Sequence, residues 1–135
     1  MHIYDPDPAS IISEIQQFHA TWPDQVIWIT ELSPARDDCT LTAAASGAGS
    51  IGEYITTLIP QIAALGYVEK IFWNSGEWDS TAINDGPAAC NPSLTDASGN
   101  PTTVLQVLGK VCGNSTGAAG TATSKVKRTP KMGLY

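Results

Sequence analysis

Residues 25–31, Gln-Val-Ile-Trp-Ile-Thr-Glu, form a continuous apolar, largely β-branched run bracketed by Pro23 and Pro34. A short run of this kind, closed by turn signals on both sides, reads as a strand buried on both faces, the pattern of a parallel sheet. It ends on a carboxylate. In parallel α/β folds, ligands and catalytic groups gather at the carboxyl ends of the strands. Glu31 therefore stands where a working carboxylate belongs.

The segments around this run alternate in kind. His2-Ile3-Tyr4 reads as the last residues of a strand. Asp7 can cap a following helix with Pro8 at its first position, and Ile11, Ile12, Ile15, Phe18 and Trp22 give it one apolar face. A long irregular segment follows Glu31, from Leu32 to Ser50. Ile51, Tyr54, Ile55, Leu58, Ile59, Ile62 and Leu65 then mark the clearest amphipathic helix, with Ser50 and Glu53 as a capping box, Gly66 as its stop and Pro60 as an expected kink. Val68 to Trp73 reads as the next strand, and Asn74 to Asn100 as a second long loop. A last helix is expected from about Pro101 to Val111, with disorder beyond Cys112. Strict alternation of strand and helix implies a parallel sheet with right-handed crossovers. Two whole strands and a stub leave both sheet edges open, so the chain reads as part of a larger α/β body.

Along an even pleat Ile27, Ile29 and Glu31 share one face, and Trp28 and Thr30 the other. In a barrel the first set is expected to point inward. Trp73 and Tyr4, at the ends of the neighbouring strands, are then candidates for the same mouth, with His2 two residues before Tyr4 on the same face. A carboxylate flanked by aromatic rings suits a sugar site, because pyranose C–H faces stack on rings and a carboxylate stabilises or attacks an anomeric carbon carrying oxocarbenium charge. Trp78, with Glu77 and Asp79, lies in the second long loop and is a further lining candidate. His19, on a helix and without local partners, reads as an ordinary structural residue.

Charge and composition narrow the partners. Arg36, Lys70 and Lys110 are the cations set against 13 acidic residues before residue 124, leaving residues 1–124 at −10 and the tail at +4. An acidic body repels phosphates, so nucleic acid is not an expected partner. No run approaches the roughly 18 to 20 apolar residues that span a bilayer, and no signal peptide is visible, so no membrane partner is expected. No Walker loop and no H-E-x-x-H is present, and the glycines of Gly47-Ala-Gly49-Ser-Ile-Gly52, which follow a long loop and not a tight turn off a strand, are only a weak dinucleotide signal, so neither a cofactor nor a metal is expected. Of Cys39, Cys90 and Cys112, two fall in loops rich in Pro, Asp and Ser, a setting for a loop-stapling disulfide in an oxidising compartment. Asn114-Ser115-Thr116 is a glycosylation sequon.

Ile27-Trp28-Ile29-Thr30-Glu31 resembles the W-[IV]-T-E strand of glycoside hydrolase family 128, the fungal endo-β-1,3-glucanase type with an alkali-sensitive-linkage-protein-like catalytic domain. His2-Ile3-Tyr4 resembles that family's H-x-Y at the end of the sixth barrel strand. Tyr54 to Trp73 resembles its seventh helix and eighth strand, and Ser93 to Gly99 with Leu108-Gly109 its closing segment. The resemblance covers roughly residues 2–112. It implies a TIM (β/α)8 barrel with two catalytic glutamates. Glu31 matches the nucleophile, His2, Tyr4, Trp73 and Trp78 would line the substrate, and the acid/base would lie in an N-E dipeptide on the fourth strand. This sequence holds no N-E dipeptide. A full barrel takes about 250 residues. The chain is therefore expected to be an incomplete barrel over residues 1–112, about strands six to eight, with a disordered tail at 113–135. Alone it is expected to be inactive, because retaining hydrolysis needs both carboxylates. A Cys39–Cys90 bridge would tie the loops after strands seven and eight. The resemblance also implies a β-glucan partner and an extracellular or cell-wall location. The competing reading is a remnant that binds glucan, or packs on a partner through its sheet edges, without catalysis.

Overall fold

The computed structural model describes residues 1–34, 39–74, 90, 92–96, 98–113 and 133–134. Its elements run β1 (His2–Tyr4), α1 (Pro8–Thr21), β2 (Ile27–Ser33), α2 (Ile51–Ala64), β3 (Val68–Trp73), α3 (Thr103–Gly113) and β4 (Gly133–Leu134). The strands form one sheet in the order β1-β2-β3-β4, and each neighbouring pair is parallel. Alternating apolar runs thus produce the expected α/β arrangement. Gly133–Leu134 add a short strand to the edge of β3.

The helices form where the sequence provides their ends. Asp7 caps α1 by accepting from the Ala9 N–H at 3.0 Å, with Pro8 at the start, where its missing N–H costs nothing. Ser50 accepts from the Glu53 N–H at 3.0 Å, and the Glu53 carboxylate reaches back to the Gly49 N–H at 2.7 Å. That reciprocal pairing satisfies donors the first turn of α2 cannot bond internally. Pro60 does not break α2, which continues to Ala64. Pro60 lies on the exposed side of the helix, where the carbonyl it leaves unbonded can meet water.

Because strand order follows chain order, right-handed crossovers carry the helices to the same side of the sheet. Ile11 and Ile15 of α1, Ile55, Leu58 and Ile62 of α2, and Val104, Val107 and Leu108 of α3 share one core with Ile3, Ile27, Ile29, Leu32, Val68 and Ile71. Each fully buried aliphatic side chain here is worth about 1.5–3 kcal/mol over an exposed one. The opposite face of the sheet carries no helix among the described residues.

This arrangement reverses the expected faces of β2. Ile27 and Ile29 lie under the helices, and Trp28, 46% exposed, and Thr30 lie on the open face. The even-pleat grouping holds from Ile27 to Thr30, but the pairing with β3 slips twice, and beyond Ile29 the count fails. Ile27 pairs with Val68 but Trp28 with Lys70, which sets Glu69 and Lys70 together against Trp28. The Trp28 indole N–H donates to the Glu69 carboxylate at 3.0 Å, and the Lys70 ammonium sits 4.3 Å from the ring centroid. Further along, Ile29 pairs with Ile71 and Leu32 with Trp73, so β2 has one residue more than its partner. An extra residue of this kind re-aims the side chains after it. Ile29 and Leu32 both stay in the core, and Glu31 escapes the helix-covered side.

Two expected outcomes follow from these local structures. A Cβ at Gly52 would overlap the carbonyl group of Ala45, so Gly52→Ala should destabilise the chain by about 1–3 kcal/mol in urea denaturation. Asp96 closes the turn before α3, with its carboxylate accepting from Asn100 Nδ2 at 3.0 Å, the Asn100 N–H at 2.9 Å and the Ser98 N–H at 2.8 Å. These bonds, the Asn100 side chain first, hold its pKa below the ordinary carboxylate value. A pKa depressed in the folded state gives stability that is present above the unfolded carboxylate value and is lost as pH falls through the folded one. Compared with the wild type, Asp96→Ala should therefore show a stability deficit at neutral pH that narrows on acidification, as read from urea midpoints between about pH 6 and pH 2.

Candidate active site

The carboxyl ends of β1, β2 and β3 meet on the open side of the sheet, and the register between strands sets who meets whom. His2 pairs with Glu31, and Tyr4 with Ser33. His2 Nδ1 lies 3.6 Å from Glu31 Oε2, with the two side chains 57% and 37% exposed. Just past β3, the Asn74 N–H donates to the Leu32 carbonyl at 3.0 Å and extends the ladder by one residue. Its side-chain Nδ2 donates to the Tyr4 hydroxyl oxygen at 3.2 Å and makes a long contact of 3.5 Å to Glu31 Oε2. His2 and Tyr4 of β1 and Asn74 just past β3 thus gather around the half-exposed carboxylate at the end of β2.

The turn after β1 is held from below. The Tyr54 hydroxyl of α2 donates to the Asp5 carbonyl at 3.0 Å, and the Asp5 N–H donates to the Ser33 carbonyl at 3.2 Å. Burial, and then the negative charge of Asp5, push the Tyr54 phenol well above its ordinary pKa. Tyr54 therefore stays a neutral donor that fixes the backbone beside Tyr4. Asp5 is the other acid close in sequence to the strand ends, and its carboxylate is committed elsewhere. Its two oxygens accept from the Asp7 N–H at 2.8 Å and the Ser10 hydroxyl at 3.0 Å, at the start of α1.

Glu31, His2 and Tyr4 are brought together as their sequence positions suggested. Trp73 is not among them. It is 6% exposed and belongs to the helix-side core. Its ring meets Tyr54 edge-on at 6.4 Å, and its indole N–H donates to the Pro92 carbonyl at 2.8 Å. With its faces packed, Trp73 presents no platform to a sugar. The residue extra to β2 explains the error, because it leaves Trp73 beside Leu32 rather than beside Glu31. What Trp73 does instead is anchor the segment around Pro92. Two residues earlier, Cys90 is bonded to Cys39, with the Cα atoms 6.1 Å apart, so the segments that follow β2 and β3 are joined. Cys112 is a free thiol that partial burial pushes above its ordinary pKa. Trp78, Glu77, Asp79 and the 114–116 sequon lie outside the described residues. His19 lies on α1, with its ring stacked on Tyr67 at 3.6 Å.

From the sequence alone Asn74 is the first residue of a polar loop, which hides its role at the rim. The signal available was its place directly after a strand that ends beside Glu31's strand.

A parallel sheet wound in one direction, with a carboxylate, a phenol, an imidazole and an amide at its carboxyl edge, has the layout of an α/β enzyme site. The chain belongs to the glycosyl hydrolase catalytic core family, whose profile it matches over residues 1–108. No curated protein and no solved structure gives a significant match. The family is one of glycosidic-bond hydrolases, and the substrate class it implies is a polysaccharide.

The packing of Trp73 generates a clear expectation. Trp73→Ala should cost about 3–5 kcal/mol in urea denaturation, whereas Tyr4→Phe, which loses one part-buried hydrogen bond, should cost about 1 kcal/mol. A near-neutral Trp73→Ala would mean that the ring is not part of the core.

Proposed function

We propose that this chain carries the nucleophile half of a retaining β-1,3-glucan hydrolase site of the family 128 type, and that Glu31 is the nucleophile. The observation that carries this reading is Glu31's place at the carboxyl end of β2, half-exposed and ringed by the ends of β1 and β3. A carboxylate so placed can attack an anomeric carbon from one face of the sugar. Double displacement also needs an acid/base about 5 Å away, to protonate the leaving oxygen and then to activate water. Asp5 cannot serve, since its oxygens are held by the start of α1, and Glu31's described neighbours are an imidazole and an amide.

The reading includes a segment of a TIM barrel. Among the described residues the helices lie on one side of the sheet and none on the other, as a closed barrel requires of each of its segments, because closure buries the uncovered face inside. Trp28, Thr30 and Lys70 would then become interior groups, and the acid/base would come from a strand that this chain does not contribute. The Cys39–Cys90 bond supports an oxidising setting and, with it, an extracellular or cell-wall location.

The chain as it stands should therefore release no reducing sugar from a β-1,3-glucan at a rate typical of glycosidases. Retention on insoluble β-1,3-glucan, lost on Tyr4→Ala and Trp78→Ala and kept in Glu31→Gln, would be expected of a substrate-lining role for those rings. Turnover by the unassisted chain that survives Glu31→Gln would overturn the nucleophile assignment. Glucan retention that depends on the rings, together with a Glu31 inert to every glycosylating probe, would favour a non-catalytic glucan-binding remnant.

A further inference from the structure

We propose that Asn74 is a positioning residue that ties the Glu31 carboxylate to the Tyr4 hydroxyl and selects which carboxylate oxygen reacts; this rests on reading Glu31 as the nucleophile. One amide nitrogen spans three strand ends, 3.2 Å from Tyr4 Oη on β1 and 3.5 Å from Glu31 Oε2 on β2. Its own place is set by the sheet and not by the loop it begins, because its backbone N–H is bonded to Leu32 at 3.0 Å. Leu32 is the residue directly after Glu31, so a single backbone bond fixes donor and carboxylate relative to one another.

The chemistry of the three groups fixes the direction of the bonds. An ionised carboxylate only accepts, so the amide must turn its N–H2 group to Glu31. The Tyr4 oxygen accepts from the same nitrogen and keeps its own O–H to donate. A carboxamide has no charge to lose, so the tether is unchanged across the pH range in which a histidine would switch. Both described contacts to the carboxylate, from Asn74 and from His2 at 3.6 Å, fall on Oε2. Oε1 is the oxygen left to attack. In that step an Oε1 electron pair forms the bond to the anomeric carbon while the carbon's bond to the leaving oxygen breaks, and the leaving group takes the bonding pair.

A suitable probe is 2,4-dinitrophenyl 2-deoxy-2-fluoro-β-laminaribioside. Its leaving group departs as the stable dinitrophenolate anion and needs no proton donor, so the full chain can be used as it is. The expected result is a covalent adduct at Glu31, found by mass spectrometry. In Asn74→Ala, and also in Asn74→Asp, the maximal labelling rate should fall about tenfold or more, with little change in the probe concentration for half-maximal rate. Labelling of Asn74→Ala at the wild-type rate overturns the role of Asn74 and leaves Glu31 as nucleophile. A wild-type chain that takes no label overturns the nucleophile reading, and the proposal with it. A second measurement does not depend on Asn74 variants folding. The side-chain amide signals of Asn74 in nitrogen-15 spectra should shift both in Glu31→Gln and in Tyr4→Phe, and signals unmoved in both variants overturn the tether.

Discussion

The rest of the structure depends on winding in one direction. Each strand is added beside the last, each crossover has the same hand, and α1, α2 and α3 therefore accumulate on one side of the sheet. Ile3, Ile27, Ile29, Leu32 and Ile71 are buried by that accumulation. The same rule leaves Trp28 and Thr30 uncovered and turns the carboxyl edge into a row of neighbouring strand ends. The site is a product of that row. No loop has to fold correctly for Glu31, Tyr4 and Asn74 to meet, because backbone pairing places all three.

The glycosyl hydrolase class and the chain's local packing account for different residues. Membership in the family gives the class of chemistry. It does not by itself explain why Trp73 packs inward or why Asn74 reaches across two strands. Those follow from the slipped pairing of β2 with β3. Trp73 then acts at one remove from the rim. By holding Pro92 it keeps Cys90 close to Cys39, and so keeps the segment after β3 near the segment after β2.

Much of this was legible in the sequence, for physical reasons that can be named. Apolar spacing at 51–65 and its capping residues gave α2 to within a residue, since helix periodicity and caps are local. The parallel order of β1, β2 and β3 was legible from alternation. Read from sequence, the bounds of β2 fall two residues early and its faces come out inverted, because alternation groups residues by face without saying which face the helices cover. The separation of Glu31 and Trp73 has another source: an extra residue in β2 cannot be seen without the partner strand. Asn74 was overlooked because a polar residue after a strand looks like any loop residue until the register with Leu32 is known. That His2, Tyr4 and Glu31 share one edge is legible from strand order, and the register then sets His2 opposite Glu31.

The Cys39–Cys90 bond encloses more than two loops. The cysteines are separated by 51 positions, and the covalent ring they close contains all of α2 and β3. Tension applied to the chain's two ends would pass across the sulfur atoms and bypass that ring. Roughly 170 Å of contour, at about 3.4 Å per residue, stays hidden from a stretching force until the bond is reduced. The contour of α2 and β3 is thereby shielded from a pull on the chain ends, and β1, α1 and β2 can be drawn out while the helix and strand beside Glu31 keep their length.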